Sequence, residues 1–211
     1  MRCYIIRHGE TQSNINRIYA GTSNERITAR GEQEARLLAE RLVDRGITFC
    51  YVSPIRRAVD TALILAGNLA ISAFIEKDLR EMELGPWEGL SEDRVAVEFP
   101  EVWETWNQTP AALRLAGRET LEDVQRRILS VLQTWCLHHE KKTIAAVTHV
   151  APIRCILLYS MGKPLNDYRQ IHVPNATAFV LDVELSKPDR KLRLCLDGTI
   201  NTHELLDKAL P

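Results

Sequence analysis

The sequence lacks most of the features that place a protein at a glance. It carries almost no net charge: 27 Lys and Arg stand against 28 Asp and Glu, a formal −1 at pH 7. With a pI near 6.6, there is no overall field to draw in nucleic acid or an acidic membrane. Neither partner is expected, and recognition of any anion falls to a few local arginines. No apolar stretch approaches the roughly 20 residues of a spanning helix, and Cys3-Tyr4-Ile5-Ile6 is too short for the apolar region of a signal peptide. The five cysteines are scattered, none in a C-x-x-C spacing, and are expected as buried free thiols of a reducing cytoplasm. Glycine-rich phosphate loops and clustered Asp/Glu/His with metal-ligand spacing are missing too, so neither a metal nor any other cofactor is expected. There is no repeat, no low-complexity tract and no convincing linker. The 211 residues, 45% of them apolar, are expected to form one domain over 1–211.

What is present alternates between strand and helix patterns. Cys3 to Ile6 is a short apolar run ending in Arg-His-Gly, a buried strand. A helix follows with Thr28 as N-cap, Ala35, Leu38, Ala39 and Leu42 on one stripe and Gly46 as stop. Ile47 to Ser53 is a strand, Ile55 to Leu69 a helix with Val59, Ala62, Leu63 and Ala66 on one face, and Ile71 to Ile75 another strand. Residues 78–118 hold three of the four tryptophans and no long period. They are expected as an insertion with two short helices, Ser91 to Phe99 and Glu101 to Asn107, lid-like over 82–118. Thr120 to His138 is the clearest helix, with Leu121, Val124, Ile128, Val131, Leu132 and Trp135 in register. Thr143 to Val147 is a strand, Pro152 to Met161 a helix, and Thr177 to Val183 with Leu192 to Leu196 an antiparallel hairpin. The whole predicts an α/β protein: a three-layer α/β/α sandwich on a mostly parallel central sheet, with an antiparallel late hairpin or edge strand.

Ligands of open α/β sheets bind beyond the carboxyl ends of the strands. Two strands here run into histidine, at Arg7-His8-Gly9 and Thr148-His149, and a third runs into Ser53-Pro54-Ile55-Arg56-Arg57. Neighbouring strands would bring two imidazoles and at least two guanidiniums to one crevice. Guanidinium forks grip phosphate oxygens, and imidazole attacks phosphorus or donates to its oxygens. A lone histidine at a strand end is more often capped or solvated, and a lone arginine is usually a surface residue. Several at equivalent strand ends point to a phosphate or carboxylate site.

The segment Arg7-His8-Gly9-Glu10-Thr11 with Asn14 resembles the R-H-G-E-T-x-x-N signature of the histidine phosphatase superfamily, the phosphoglycerate-mutase-like proteins. Ser53-Pro54-Ile55-Arg56-Arg57-Ala58 with Thr61-Ala62, Leu79-Arg80-Glu81 with Leu84-Gly85-Pro86-Trp87-Glu88-Gly89, and Val147-Thr148-His149 before Ile153-Arg154 are similar to three more of its segments. Asn201 with His203-Glu204-Leu205 echoes a common C-terminal ending. These motifs keep the family's order along nearly the whole chain.

The resemblance implies roles. His8 is the nucleophile that becomes phosphohistidine, its tautomer fixed by a backbone carbonyl on the other ring nitrogen. Gly9 lets the backbone pass close to phosphate. Arg7 and Arg57 clamp the phosphoryl oxygens together with His149, the family register selecting Arg57 over Arg56. Asn14, Thr148 and Val150 join the substrate-binding set. Glu81 is the general acid, then base, with Glu10 a secondary helper. Val150 stands where the family has glycine, and Ala116-Gly117-Arg118-Glu119-Thr120 where it often shows G-G-E-S. These departures touch substrate choice more than chemistry.

Other residues have plainer expectations. Trp87, Trp103, Trp106 and Phe99 serve either as pocket wall or as packing, His138-His139 as a solvated helix end, and Arg126-Arg127 as a wet helix face; His172 is a loop candidate for substrate contact. The function implied is a metal-independent phosphoric monoester hydrolase of histidine acid phosphatase type, acting on a small phosphorylated metabolite in the cytoplasm. It is similar to the α-ribazole, broad-specificity and metal-independent phosphoserine phosphatases of the family. The rivals are a phosphoglycerate-mutase-type transfer and a silent phospho-ligand-binding module. Oligomeric state stays open, with a homodimer through an edge strand or the late hairpin as one option.

Overall fold

The computed structural model describes residues 1–202; the His203-Glu204-Leu205 motif lies outside them. Six strands form one sheet in the order β3-β2-β4-β1-β5-β6. They are β1 (Arg2–Arg7), β2 (Ile47–Val52), β3 (Ser72–Ile75), β4 (Thr143–Thr148), β5 (Ala178–Leu185) and β6 (Leu192–Ile200). The first four run parallel; β5 pairs antiparallel with β1, and β6 antiparallel with β5. The late hairpin is therefore an extension of the central sheet rather than a separate ribbon.

Helices cover both faces: α1 (Gln12–Ile15), α2 (Ala29–Leu42), α3 (Arg56–Leu69), α4 (Glu92–Glu98), α5 (Pro100–Gln108), α6 (Leu121–His138) and α7 (Val150–Ser160). Strand alternation sorts the core into two layers. Tyr4 and Ile6 of β1 and Ala145 and Val147 of β4 pack with α2 and α3 on one face. Cys3, Ile5, Ile144 and Ala146 pack with α6 and α7 on the other. The predicted stripes of α2 and α6 are buried in full. Thr28 accepts from Gly31 N–H at 3.1 Å, and Gly46 adopts the left-handed conformation (φ 66°) that ends the α2 segment.

The stripe of α3 differs from the expected one: Ala58, Ala62 and Leu65 are buried, while Leu63 is 60% exposed. Arg57 and Thr61 occupy inward positions for the site, and apolarity alone misjudges such a helix. The helix after β4 starts at Val150 rather than Pro152, which puts two more N–H groups in a free first turn. Trp87 and Trp106 are buried in the same core as α6 and α7, so the 82–118 segment packs into the main body. Of the five cysteines, three are buried; Cys195 is exposed because β6 is the outermost strand and turns alternate residues to solvent. Among the described residues no helix is long and apolar enough to cross a membrane.

Gly9 has a steric reason of its own. A Cβ on it would stand 2.5 Å from Gly31 O, and a Cβ on Gly31 would stand 2.4 Å from Glu10 O. Two bare backbones thus pass each other where the β1 loop meets the start of α2, and Gly9 is not among the residues lining the cavity described below. Gly31→Ala is expected to destabilise by about 1–3 kcal/mol through overpacking. Thermal unfolding checks this: a wild-type melting temperature would mean the contact yields freely.

Candidate active site

Sheet register brings the motifs together. Arg7 pairs with Thr148, and Val52 with Val147, so His8, His149 and Ser53 leave three adjacent parallel strands at one level. The His8 and His149 rings lie 5.2 Å apart, tilted by 56°. Both are buried.

His8 is fixed at every polar atom. Its backbone N–H donates to Thr148 O at 3.1 Å, and its carbonyl accepts from Ala176 N–H at 3.1 Å and Asn175 Nδ2 at 3.2 Å. Nδ1 lies 2.8 Å from Gly9 O. A carbonyl only accepts, so Nδ1 carries the proton and Nε2 keeps its lone pair. Arg57 Nε–H donates to that lone pair at 3.2 Å. Burial holds the His8 pKa well below its ordinary value, and the Arg57 and Arg7 charges push it further down. Burial likewise lowers Arg7 to about 10, with Arg154 and Arg57 adding to the effect and Glu81 opposing it, which leaves the guanidinium charged at neutral pH.

His149 Nε2 meets Ser53 Oγ at 2.7 Å, while its Nδ1 is buried without a hydrogen-bond partner. Burial, with Arg57, His8 and Arg7, holds this second imidazole neutral as well. Glu81 is 9% exposed; its Oε1 accepts from Met82 N–H at 2.8 Å and from Ala151 N–H at 3.1 Å. The second donor belongs to the free first turn of α7, whose positive end suits a carboxylate.

Arg127 corrects an expectation. Its neighbour Arg126 has a side chain 74% exposed, but that of Arg127 is 9% exposed. It forks onto Glu119 at 2.7 and 2.9 Å and donates to the carbonyls of Asp78, Arg80 and Glu81 at 2.6, 2.9 and 3.3 Å. One guanidinium therefore supports the loop that carries Glu81. The stripe of α6 held the signal: Arg127 stands three residues after Val124 and four before Val131, at the edge of the buried face, while Arg126 lies opposite it.

A cavity of about 640 Å³ opens over the strand ends, lined among others by Arg7, His8, Asn14, Arg57, Glu81 and Val150. His149 lies buried behind its wall. Thr148 is placed otherwise than expected: its hydroxyl donates to Leu79 O at 2.5 Å, tying β4 to the Glu81 loop, and it does not line the cavity. Glu10 turns to the start of α2, where Thr28 Oγ1 donates to it at 2.9 Å. Asn14 Oδ1 accepts from Thr11 N–H and from Asn175 Nδ2, at 3.2 and 2.8 Å. His172 and Trp106 line the cavity; Trp87 is core. Sequence reasoning missed Asn175, Arg154 and Tyr168 in the lining and Ser53 beneath it. Ser53 and Arg154 carried a signal, Ser53 as the strand end that heads the Ser53-Pro54-Ile55-Arg56-Arg57 segment and Arg154 in the segment after His149. Among the described residues no group of His, Cys, Asp and Glu is placed to hold a metal ion.

A model of the histidine phosphatase superfamily (branch 1) matches residues 3–193. Phosphoserine phosphatase 1 of Hydrogenobacter thermophilus is 27% identical over 184 residues, 87% of this chain and 87% of that protein. The probable phosphoglycerate mutase GpmB of an Enterobacter species is 29% identical over 190 residues, 88% and 86% of the two chains. Among solved structures, Bacillus stearothermophilus YhfR superposes with a TM-score of 0.84 at 27% identity, covering 93% of this chain and 96% of that one.

The two neutral histidines have a consequence for stability. Their folded pKa values lie well below the ordinary 6.5, so below pH 6.5 the unfolded chain binds more protons than the folded one. Stability is then full above pH 6.5 and falls as pH drops, by up to about 1.4 kcal/mol per pH unit for each histidine. Melting temperatures measured from pH 7.5 to 5.5 are expected to fall, and to fall less steeply in His149→Gln. A flat profile in the wild type would contradict the burial of two uncharged imidazoles.

Proposed function

Because the chain belongs to the histidine phosphatase superfamily, we propose that it hydrolyses a small phosphorylated metabolite through a phosphohistidine on His8. The observation that carries this reading is the state of His8: its proton is held on Nδ1 by Gly9 O, and its Nε2 lone pair is aimed at a guanidinium.

In the first step an Nε2–P bond forms as the bond from phosphorus to the ester oxygen breaks. Glu81 gives its proton to the departing alkoxide. In the second step Glu81 takes a proton from water, the water oxygen bonds phosphorus, and the Nε2–P bond breaks to release orthophosphate. Arg7 and Arg57 offset charge on the transferring oxygens. In this scheme Ser53 O–H donates to His149 Nε2, which puts the His149 proton on Nδ1, the ring atom without a protein partner, and a phosphoryl oxygen would supply that partner. The two guanidiniums and the His149 Nδ1–H offset the charge that a divalent cation would otherwise meet in this scheme.

Hydrolysis is favoured over a mutase reaction because the cavity mouth is open to solvent. Arg17 and His172 line it and are exposed, whereas a mutase has to shield its phosphohistidine from water. A cytoplasmic enzyme fits the three buried free thiols. Turnover of p-nitrophenyl phosphate in EDTA is expected for the wild type, abolished in His8→Ala and lowered about 10²–10⁴-fold in Glu81→Gln. Full activity in His8→Ala, or activity that needs an added metal, would overturn the mechanism. Isomerisation of a phosphoglycerate faster than its hydrolysis would favour the mutase.

A further inference from the structure

Arg57 is anchored in an unusual way for a charge that is buried. Its Nη2 donates to Ala20 O and Gly21 O, both at 2.8 Å, and its Nη1 to Ser23 O at 3.3 Å. Carbonyls hold the fork where a carboxylate would be the usual partner. The other side of two of these peptides, Ala20–Gly21 and Gly21–Thr22, faces Glu88, which also takes the next N–H, that of Ser23. Glu88 Oε2 accepts from Gly21 N–H at 3.0 Å, and its Oε1 from Thr22 and Ser23 N–H at 3.1 and 3.2 Å.

Glu88 is itself well seated. The indole of Trp87 before it is fully buried, and on either side Gly89 N–H and Tyr19 N–H pair with Tyr19 O and Leu90 O at 2.8 and 2.9 Å. Gly21 has to lack a side chain, because a Cβ there would stand 2.4 Å from Glu88 Oε2.

We infer that Glu88 is a positioning residue for the phosphoryl site, setting Arg57 against His8 through the backbone of residues 20–23. The arrangement has a physical advantage. A carboxylate placed directly on Arg57 would cancel the charge meant for phosphate. Through the Ala20–Gly21 and Gly21–Thr22 peptides, Glu88 polarises the N–H toward itself and the C=O toward the guanidinium, so the fork is fixed with no carboxylate bonded to it. The inference rests on the assignment of Arg57 to phosphate binding.

The test is a double-mutant cycle, read by calorimetric affinity for orthophosphate and by kcat/KM for p-nitrophenyl phosphate. Glu88→Ala is expected to weaken phosphate binding and to lower kcat/KM, each by roughly tenfold, a coupling typical of residues in one network. Arg57→Ala with Glu88→Ala is expected to be no worse than Arg57→Ala alone. Glu88→Gln keeps the side-chain length and one acceptor, and should fall between wild type and Glu88→Ala. Gly21→Ala displaces the carboxylate without altering Glu88 or Arg57, and should reproduce the Glu88→Ala effect. A general loss of stability would not spare the double variant in this way. Phosphate affinity and kcat/KM within twofold of wild type in Glu88→Ala, or effects that multiply with Arg57→Ala, would overturn the inference. A wild type that binds orthophosphate without turnover would sink the phosphomonoesterase reading while the affinity cycle still decides the clamp. One that does neither would remove both.

Discussion

An imidazole that is to attack phosphorus must stay uncharged beside the cations that hold the phosphate. In the mechanism proposed for His8, burial resolves the conflict. Withdrawing His8 from water favours its neutral form, and the Arg57 and Arg7 charges push the same way. Gly9 O then selects which nitrogen keeps the lone pair. Much of the surrounding structure follows from keeping that arrangement in place. The parallel register of β1, β2 and β4 sets the depth of the two histidines, and the loops after them supply carbonyls rather than carboxylates to the guanidiniums.

The positioning is done largely by groups that never face the cavity. Ser53 holds His149, Thr148 fastens the strand end to the loop at Leu79, and Arg127 gathers the carbonyls of Asp78, Arg80 and Glu81. Each uses a hydrogen bond between elements far apart in sequence. Such bonds are strong enough in a buried setting to fix a rotamer, and leaving one half unmade is costly. Rigid supports of this kind keep the reacting groups within the small tolerance that catalysis allows.

The architecture was legible because its strands are short apolar runs that end at chemistry-bearing residues, and its helices show clean stripes. His8, Arg57, Glu81 and His149 could be named from motif and position, and the sheet does carry them to one place. Residues whose roles depend on tertiary contact could not be named. Arg126 and Arg127 were expected together as a wet face, yet a turn of about 100° along the helix sends Arg126 to solvent and Arg127, at the edge of the apolar stripe, to the Glu81 loop. Gly9 and Thr148 were expected in the substrate-binding set on the family resemblance. The structural work they also do, backbone crowding against Gly31 and a hydrogen bond to Leu79 O, depends on contacts far away in sequence. The stripe of α3 was misplaced because Arg57 and Thr61, both polar, face inward where a purely structural helix would place leucine.

The most direct measurement is to mix enzyme with substrate, quench rapidly in base, where phosphohistidine survives, and map the modified peptide by mass spectrometry. The account predicts a single phosphoryl group on the peptide containing His8, absent from His8→Ala and accumulating in Glu81→Gln, where water lacks its base. Turnover with no phosphorylated peptide, or a phosphoryl group on any other residue, would contradict it.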